Sequence, residues 1–322
     1  MSLPTRMPEV PVHGNFRRYY GMRSAGAAAR ACSAEEEVYL PRDGVDERVR
    51  CLLSWLSLHG AEVRRIERVL DIGCNAAKPL LELCQLLPNS LMYVLGVDID
   101  AELVAQARAA LRQAWCERQP RTRETTVAAM QYFPACFSSL LDPLPFAPVG
   151  TDTLPAHVHF VQGDWPRMDP DPEGFDLVLC LAVSKWIHLN QGDDGLFLCL
   201  SRMASQLRPG GLVALEIQPW RSYEQARSLS KELRASHARL RIQPDDIGWI
   251  LECLGLVSLG SIGHGTGHGT QTLFTPGFQR ALTLFQRPLE AAHVEVSSKF
   301  TWPWVARPRQ RAGRPKKIRS IN

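Results

Sequence analysis

Hydrophobic positions along the chain fall into two kinds of pattern. Short apolar runs at Arg68–Asp71, Leu91–Asp98, Val158–Gln162, Phe175–Leu181 and Leu212–Ile217 are continuous rather than alternating, as strands buried on both faces would be. Between them lie longer stretches with helical spacing. One follows the Asp71–Asn75 turn to about Leu87, and a second runs from Ala101 to about Trp115. A third runs from Leu196 to Leu207 and is closed by Arg208-Pro-Gly-Gly211, with glycine just past the helix end. The rest reads as a helix from Tyr223 to Ala238, a short helix from Pro244 to Leu254 and a strand from Leu256 to Ile262. A Gly/His loop, Gly263–Thr270, and a last strand, Arg280–Gln286, complete it. Parallel strands need crossover helices, so this alternation predicts an α/β fold with a doubly wound, mostly parallel sheet.

The pattern lapses twice. From 116 to about 157 prolines accumulate and apolar periodicity fades, which predicts an insertion within one domain rather than a second domain. From Thr301 the chain is rich in proline and arginine, a composition that predicts a disordered tail. The expected organisation is a short extension at 1–12, one domain over 13–287 and a basic tail over 288–322. Charge sharpens this picture. Of 37 basic residues in the 322-residue chain, seven lie between Arg307 and Arg319, where no acid occurs, leaving 30 against 33 acidic residues elsewhere. The net +4 therefore belongs to the tail. Nine cysteines are scattered singly without a C-x-x-C pair, which suits neither a disulfide framework nor a zinc site and points to a reducing compartment. No membrane span or secretory leader is expected.

In doubly wound sheets ligands sit beyond the carboxyl ends of the strands. Three features fall there: Gly73 and Asn75 after the first strand, Asp98 with Ile99 after the second, and Asp164 with Trp165 after the third. Glycine at 73 permits close backbone approach, Asp98 suits the two hydroxyls of a ribose, and Asp164 suits an exocyclic adenine amine. The turn is not G-x-G-x-x-G, so a dinucleotide pyrophosphate has poor accommodation. A nucleoside without phosphates fits better, and S-adenosylmethionine is such a cofactor.

Several longer motifs accompany these acids. They are His13–Arg23, Val69–Asn75, Leu95–Asp100, Phe175–Asn190 with its Lys185-Trp-Ile-His-Leu-Asn190, Gln218–Tyr223 and Gly277–Arg280. In them the chain resembles the methylphosphate capping enzymes, class I (Rossmann-like) S-adenosylmethionine-dependent methyltransferases that act on 5′-terminal phosphates of RNA. The insertion resembles the 7SK-type branch. The resemblance implies a seven-stranded sheet and cofactor contacts from Tyr20, Arg48, Gly73, Asn75, Asp98, Ile99, Asp164, Trp165 and Leu181. It also implies a small noncoding RNA with a 5′-phosphate as substrate, ribonucleoprotein partners and a nuclear location. The substrate end is left open between a γ-phosphate and a monophosphate, and a non-catalytic RNA-binding protein on the same fold is the rival reading.

Methyl transfer to an already anionic phosphate oxygen needs alignment and cationic donors rather than a strong base. Tyr19, Arg23, Lys185 and His188 have that character and are the expected phosphate contacts, with Arg17 and Arg18 beside them. Trp186 and Trp220 are candidates for stacking on a base, or else for core packing. Two departures from the resembling pattern stand out. Ala76-Ala77 replaces a glycine-containing loop and is expected to place a methyl group near the methionine moiety, and Asp164-Trp165 replaces Asn-Tyr. His264 and His268, in a glycine-rich loop without further ligands, do not make a metal site, and no metal is expected.

Overall fold

The structure, a computed structural model, describes residues 11–15, 45–60, 64–87, 90–116, 157–263 and 280–289. The expected insertion and tail, the Gly/His loop after Gly263, and Arg17, Arg18, Tyr19, Tyr20 and Arg23 lie outside the described residues.

Five strands, β1 (Arg68–Ile72), β2 (Tyr93–Asp98), β3 (Val158–Gln162), β4 (Phe175–Leu181) and β5 (Leu207–Glu216), pair in parallel. Two more, β6 (Val257–Ile262) and β7 (Leu282–Gln286), are added antiparallel, giving the order β3-β2-β1-β4-β5-β7-β6. The helices are α1 (Glu47–His59), α2 (Lys78–Leu86), α3 (Ala101–Cys116), α4 (Ser184–Gln206), α5 (Trp220–Ala226), α6 (Lys231–Arg239) and α7 (Asp246–Cys253). A doubly wound sheet of seven strands was expected, and it is what forms.

The unbroken apolar runs have a simple cause. Side chains alternate across a strand, and both faces of this sheet are covered. Val69, Leu177, Leu179 and Leu212 enter one core cluster with Val49, Leu52, Leu80 and Val104 from α1, α2 and α3. Their neighbours Leu70, Val178, Cys180 and Val213 enter the other, with Leu196, Leu200 and Met203 from α4 and Ile247 and Ile250 from α7. A smaller cluster of Trp186, Leu189, Tyr223, Leu233 and Leu240 ties α4 to α5 and α6.

Four local readings need correction. The third predicted helix begins at Ser184, twelve residues before Leu196, and is kinked at Gly192 (φ 72°, ψ −171°). Arg208–Gly211 does not end the helix, which stops at Gln206. It lies within β5, where the pairing with β4 slips between Phe175 and Leu177. The predicted helix over 223–238 is two helices, because the Ser230 hydroxyl accepts from the Leu233 amide and starts α6 afresh. Helix α1 was not predicted, although Asp46 caps it through the Arg48 amide and Val49, Leu52 and Leu56 repeat at helical spacing.

Candidate cofactor and phosphate site

The carboxyl ends of β1, β2 and β4 open into one cleft, with the turn after β3 along one side. At its centre Gly73 has φ +72°, and a Cβ there would come within 2.6 Å of Val183 Cγ2. Glycine is required for both reasons. Its amide donates to Val97 O (2.8 Å), drawing the turn after β1 against β2. Asp98 closes the same junction. One carboxylate oxygen accepts from the Asn75 amide (2.8 Å) and the other from the Asp100 amide (2.9 Å). Burial raises its pKa, opposed by these backbone donors. Asp98 thus stands preset at the end of β2, with unused lone pairs for a ligand's hydroxyls.

Asp164 lines the next part of the cleft, and both its oxygens lie 3.0 Å from Gln191 Nε2 of α4. Trp165 is buried beneath, its ring under the Arg202 guanidinium. Ile99 and Leu181 supply apolar wall. Three side-chain atoms in the cleft residues are buried without a hydrogen-bond partner among the described residues: Asn15 Oδ1, Asp71 Oδ1 and Gln191 Oε1. Such atoms are costly unless a ligand satisfies them. Asp71 shows that cost directly. Burial lifts its carboxyl to a pKa of about 8, with Arg48 opposing and Asp98 adding to the rise.

The other half of the cleft is cationic. Lys185, in the first turn of α4, is 7% exposed, and its Nζ lies 2.8 Å from Ser222 Oγ and 4.2 Å from the centre of the Trp186 ring. Desolvation, and then the Arg280 guanidinium, lower its pKa to about 8. Its position is set by Gln218, whose side-chain oxygen accepts from the Lys185 amide (3.3 Å) and whose nitrogen donates to Ala182 O. Ala182 has φ 63°, so this amide clamp holds a strained turn between β4 and α4.

Residues 11–15 run along the cleft. Asn15 donates to Asp100 (2.7 Å), Asn190 donates to Val12 O (2.8 Å), and Gly14 lies so close to the Trp186 indole that a Cβ would be 2.2 Å from it.

Gly73, Asn75, Asp98, Ile99, Asp164, Trp165, Leu181 and Lys185 therefore gather around one cleft. Arg48 and His188 do not line it. Arg48 is 2% exposed, and its guanidinium is divided between Asp46 (2.7 Å) and Glu216 (2.9 Å). His188, expected at the phosphate, is fully buried. Its Nε2 lies 2.8 Å from Asp193 and its Nδ1 3.3 Å from the Tyr223 hydroxyl, so it braces the kink in α4. Trp220 stacks on Tyr223 and lies against His237, outside the cleft, whereas Trp186 both packs in the core and lines the cleft. The methyl group of Ala77 is buried in the core cluster of α1, α2 and α3 and is not on the cleft wall, which corrects its expected place near the methionine moiety. Asn15, Asp71, Gln191, Gln218, Ser222 and Arg280 had no role assigned from sequence. Asp71, at the end of β1, was the one that strand-end placement alone could have found.

A five-strand parallel core with an antiparallel β7 between β5 and β6, and acids at the carboxyl ends of β1 and β2, defines the class I methyltransferase fold. Residues 175–287 match the family described as Bicoid-interacting protein 3 (Bin3). It is 32% identical over 310 residues to the human 7SK snRNA methylphosphate capping enzyme, covering 87% of this chain and 40% of that protein. A probable RNA methyltransferase of Arabidopsis thaliana is 28% identical, over 87% of this chain and 81% of its own length. The Drosophila melanogaster U6 snRNA methylphosphate capping enzyme Amus is 27% identical, over 72% and 62%. The chain thus spans about two fifths of the length of the human and mouse capping enzymes it matches. A magnesium protoporphyrin IX methyltransferase from Synechocystis overlaps with a TM-score of 0.44 at 14% identity, over 88% of this chain and 100% of its own. Strand order, rather than that overlap, defines the fold.

Proposed function

We propose that this chain is an S-adenosylmethionine-dependent methyltransferase acting on the 5′-terminal phosphate of a small noncoding RNA, with the γ-phosphate as the acceptor. The observation that carries the reading is the union of two unlike halves in one cleft: Asp71, Asp98 and Asp164 on one side, Lys185 and Arg280 on the other. A sulfonium nucleoside and a phosphate differ in just this way.

The residues present fit the cofactor. Asp98 suits the ribose hydroxyls, Asp71 Oδ1, which has no hydrogen-bond partner among the described residues, suits the ammonium of the methionine part, and Asp164 with Ile99 and Trp165 suits the adenine. When bound, S-adenosylmethionine supplies a methyl group on a sulfonium that departs as a neutral thioether. The protein's own task is then alignment and charge. A terminal phosphate oxygen is ionised near neutral pH, so no side chain has to remove a proton. Lys185 holds the phosphate as a fixed cation, Gln218 and Ser222 hold Lys185, and Trp186 with residues 12–15 shields this side of the cleft from water. Tyr19, Tyr20 and Arg23 complete the proposed site from the segment that follows Asn15, and the small RNA, its ribonucleoprotein partners and a nuclear location belong to the same reading. The relatives' names support it, two of them capping enzymes of small nuclear RNAs. The domain limits, 13–287 with an insertion at 116–157, are proposed with it.

The test is transfer of labelled methyl to one RNA carrying a 5′-triphosphate, a 5′-monophosphate or a 5′-hydroxyl. Label on the triphosphate form alone is expected. Label confined to the monophosphate form would move the acceptor, and RNA binding without any cofactor binding would make the chain a binding module.

A further inference from the structure

Behind the cationic half of the cleft lies a buried chain of charges. Glu216, at the end of β5, is fully buried. One of its oxygens lies 2.6 Å from Arg280 Nε and the other 2.9 Å from Arg48 Nη1. Arg48 is gripped on its remaining side by Asp46, at 2.8 Å from Nε and 2.7 Å from Nη2. A buried carboxylate shared by two guanidiniums cannot fully neutralise either, and here Arg48 has its own second acid while Arg280 has none among the described residues.

Arg280 is also the end of this chain that faces the ligand. It is a third exposed and lines the cleft, and Glu216 holds it by Nε, so its terminal nitrogens have no hydrogen-bond partner among the described residues. An arginine anchored at Nε keeps its plane fixed and still presents two N–H groups on the far edge, the geometry that grips a phosphate. Lys185 shares this wall. Among the described residues its amine hydrogen-bonds the neutral oxygens of Ser222 and lies over the Trp186 ring, and no carboxylate pairs with it. Two cations held near one another by separate anchors repel, and the repulsion is felt at Lys185, whose pKa the Arg280 charge helps lower. An anion between them relieves it.

We propose that Arg280 is a second phosphate-binding cation, acting with Lys185 on the same wall of the cleft, and that Glu216, itself held by Arg48, is its positioning residue. This rests on the RNA 5′-phosphate reading above. It also gives Arg48 a place on the substrate side of the molecule, through Glu216, rather than among direct cofactor contacts.

The experiment uses the full chain and one short RNA in two forms, 5′-triphosphate and 5′-hydroxyl, at fixed salt. The quantity read is the ratio of the two affinities. Arg280→Gln keeps a donor for Glu216 and is expected to lower that ratio about tenfold, equivalent to ~1.4 kcal/mol, with hydroxyl-RNA affinity and S-adenosylhomocysteine binding retained. Arg280→Lys, which keeps the charge and loses the fork, should fall between. Glu216→Gln should raise the KM for triphosphate RNA while leaving kcat within about twofold. Retained S-adenosylhomocysteine binding verifies folding of each variant, and if Glu216→Gln fails that check the Arg280 variants decide alone. A wild-type ratio near one would overturn the phosphate reading itself. A high wild-type ratio that Arg280→Gln leaves unchanged would overturn this inference alone, and an unchanged KM in folded Glu216→Gln would remove Glu216 from the positioning role.

Discussion

At Asp71 a carboxylate oxygen is buried on the cleft with no hydrogen-bond partner among the described residues, and burial raises the group's pKa from 3.8 to about 8. The sign of the consequence follows from linkage. Below pH 4 folded and unfolded chains both hold the proton. As pH rises from about 4 to 8 the unfolded chain has released it and the folded chain retains it, so folding loses stability across that window. Asp71→Asn should therefore flatten the pH dependence and raise stability at pH 8 by about 1–3 kcal/mol, while weakening binding of S-adenosylhomocysteine. Thermal melts at pH 5 and pH 8 check this, and an Asn variant that melts no higher than wild type at pH 8 would refute it. Lys185 has the opposite shift. Its pKa is lowered to about 8, so its charge is lost as pH rises through that value. Affinity for 5′-phosphorylated RNA should fall between pH 7 and pH 9, and affinity for 5′-hydroxyl RNA should not. Equal pH profiles for the two RNAs would remove Lys185 from the phosphate. Ala77 adopts φ 61° with its methyl group in the core. Ala77→Gly trades a left-handed strain of about 1–2 kcal/mol against roughly 0.8 kcal/mol of methyl burial. Cofactor affinity is expected to stay within about twofold, measured by calorimetry, and a clear gain would put the methyl group at the ligand after all.

Among the elements, α4 carries the most function. Its first half presents Lys185, Trp186 and Gln191 to the cleft, its second half fills the core with Leu196, Leu200 and Met203, and Gly192 joins them. A Cβ at Gly192 would meet nothing within 4 Å, so only the backbone resists substitution. That resistance is strong, because φ 72° with ψ −171° lies in a region that glycine almost alone occupies. Gly192→Ala should destabilise the protein by about 1–3 kcal/mol and raise the KM for RNA by swinging the first half of the helix. Denaturant melts and steady-state kinetics test both, and a variant with wild-type stability would mean the kink is not required. The same element shows the limit of reading by pattern. Apolar spacing in the sequence starts this helix only at Leu196. In the structure Asp193 accepts from the Arg241 and Ile242 amides and pairs with His188, and these bonds brace the kink between the two halves of the helix.

For the whole molecule, the placement of charge matters more than its sum. Among the described residues Lys185 and Arg280, the proposed phosphate cations, line the cleft, and the seven basic residues between Arg307 and Arg319 form a separate, sequence-distant group. Truncation after Phe300 should lower RNA affinity and flatten its salt dependence, by about 0.7 in slope for each lost phosphate contact, with turnover at saturating RNA preserved. Lost turnover would place the tail in the active site.

The sequence by itself determined the doubly wound sheet, because strands covered on both faces must be continuously apolar and parallel strands must be separated by helices. It also determined the strand-end acids Asp98 and Asp164, since strand order sends those positions to the carboxyl edge of the sheet. Only the tertiary structure decided which polar residues face the ligand. His188 and Arg48 carry suitable chemistry but are consumed by Asp193 and Glu216, partners distant in sequence or across a kink. Asp71, Gln218 and Arg280 stand in the sequence motifs without an assigned role, and they meet at the cleft because β1 and β5 end there and the antiparallel β7 begins there. A side chain's chemistry is local, but its availability depends on what folding places beside it.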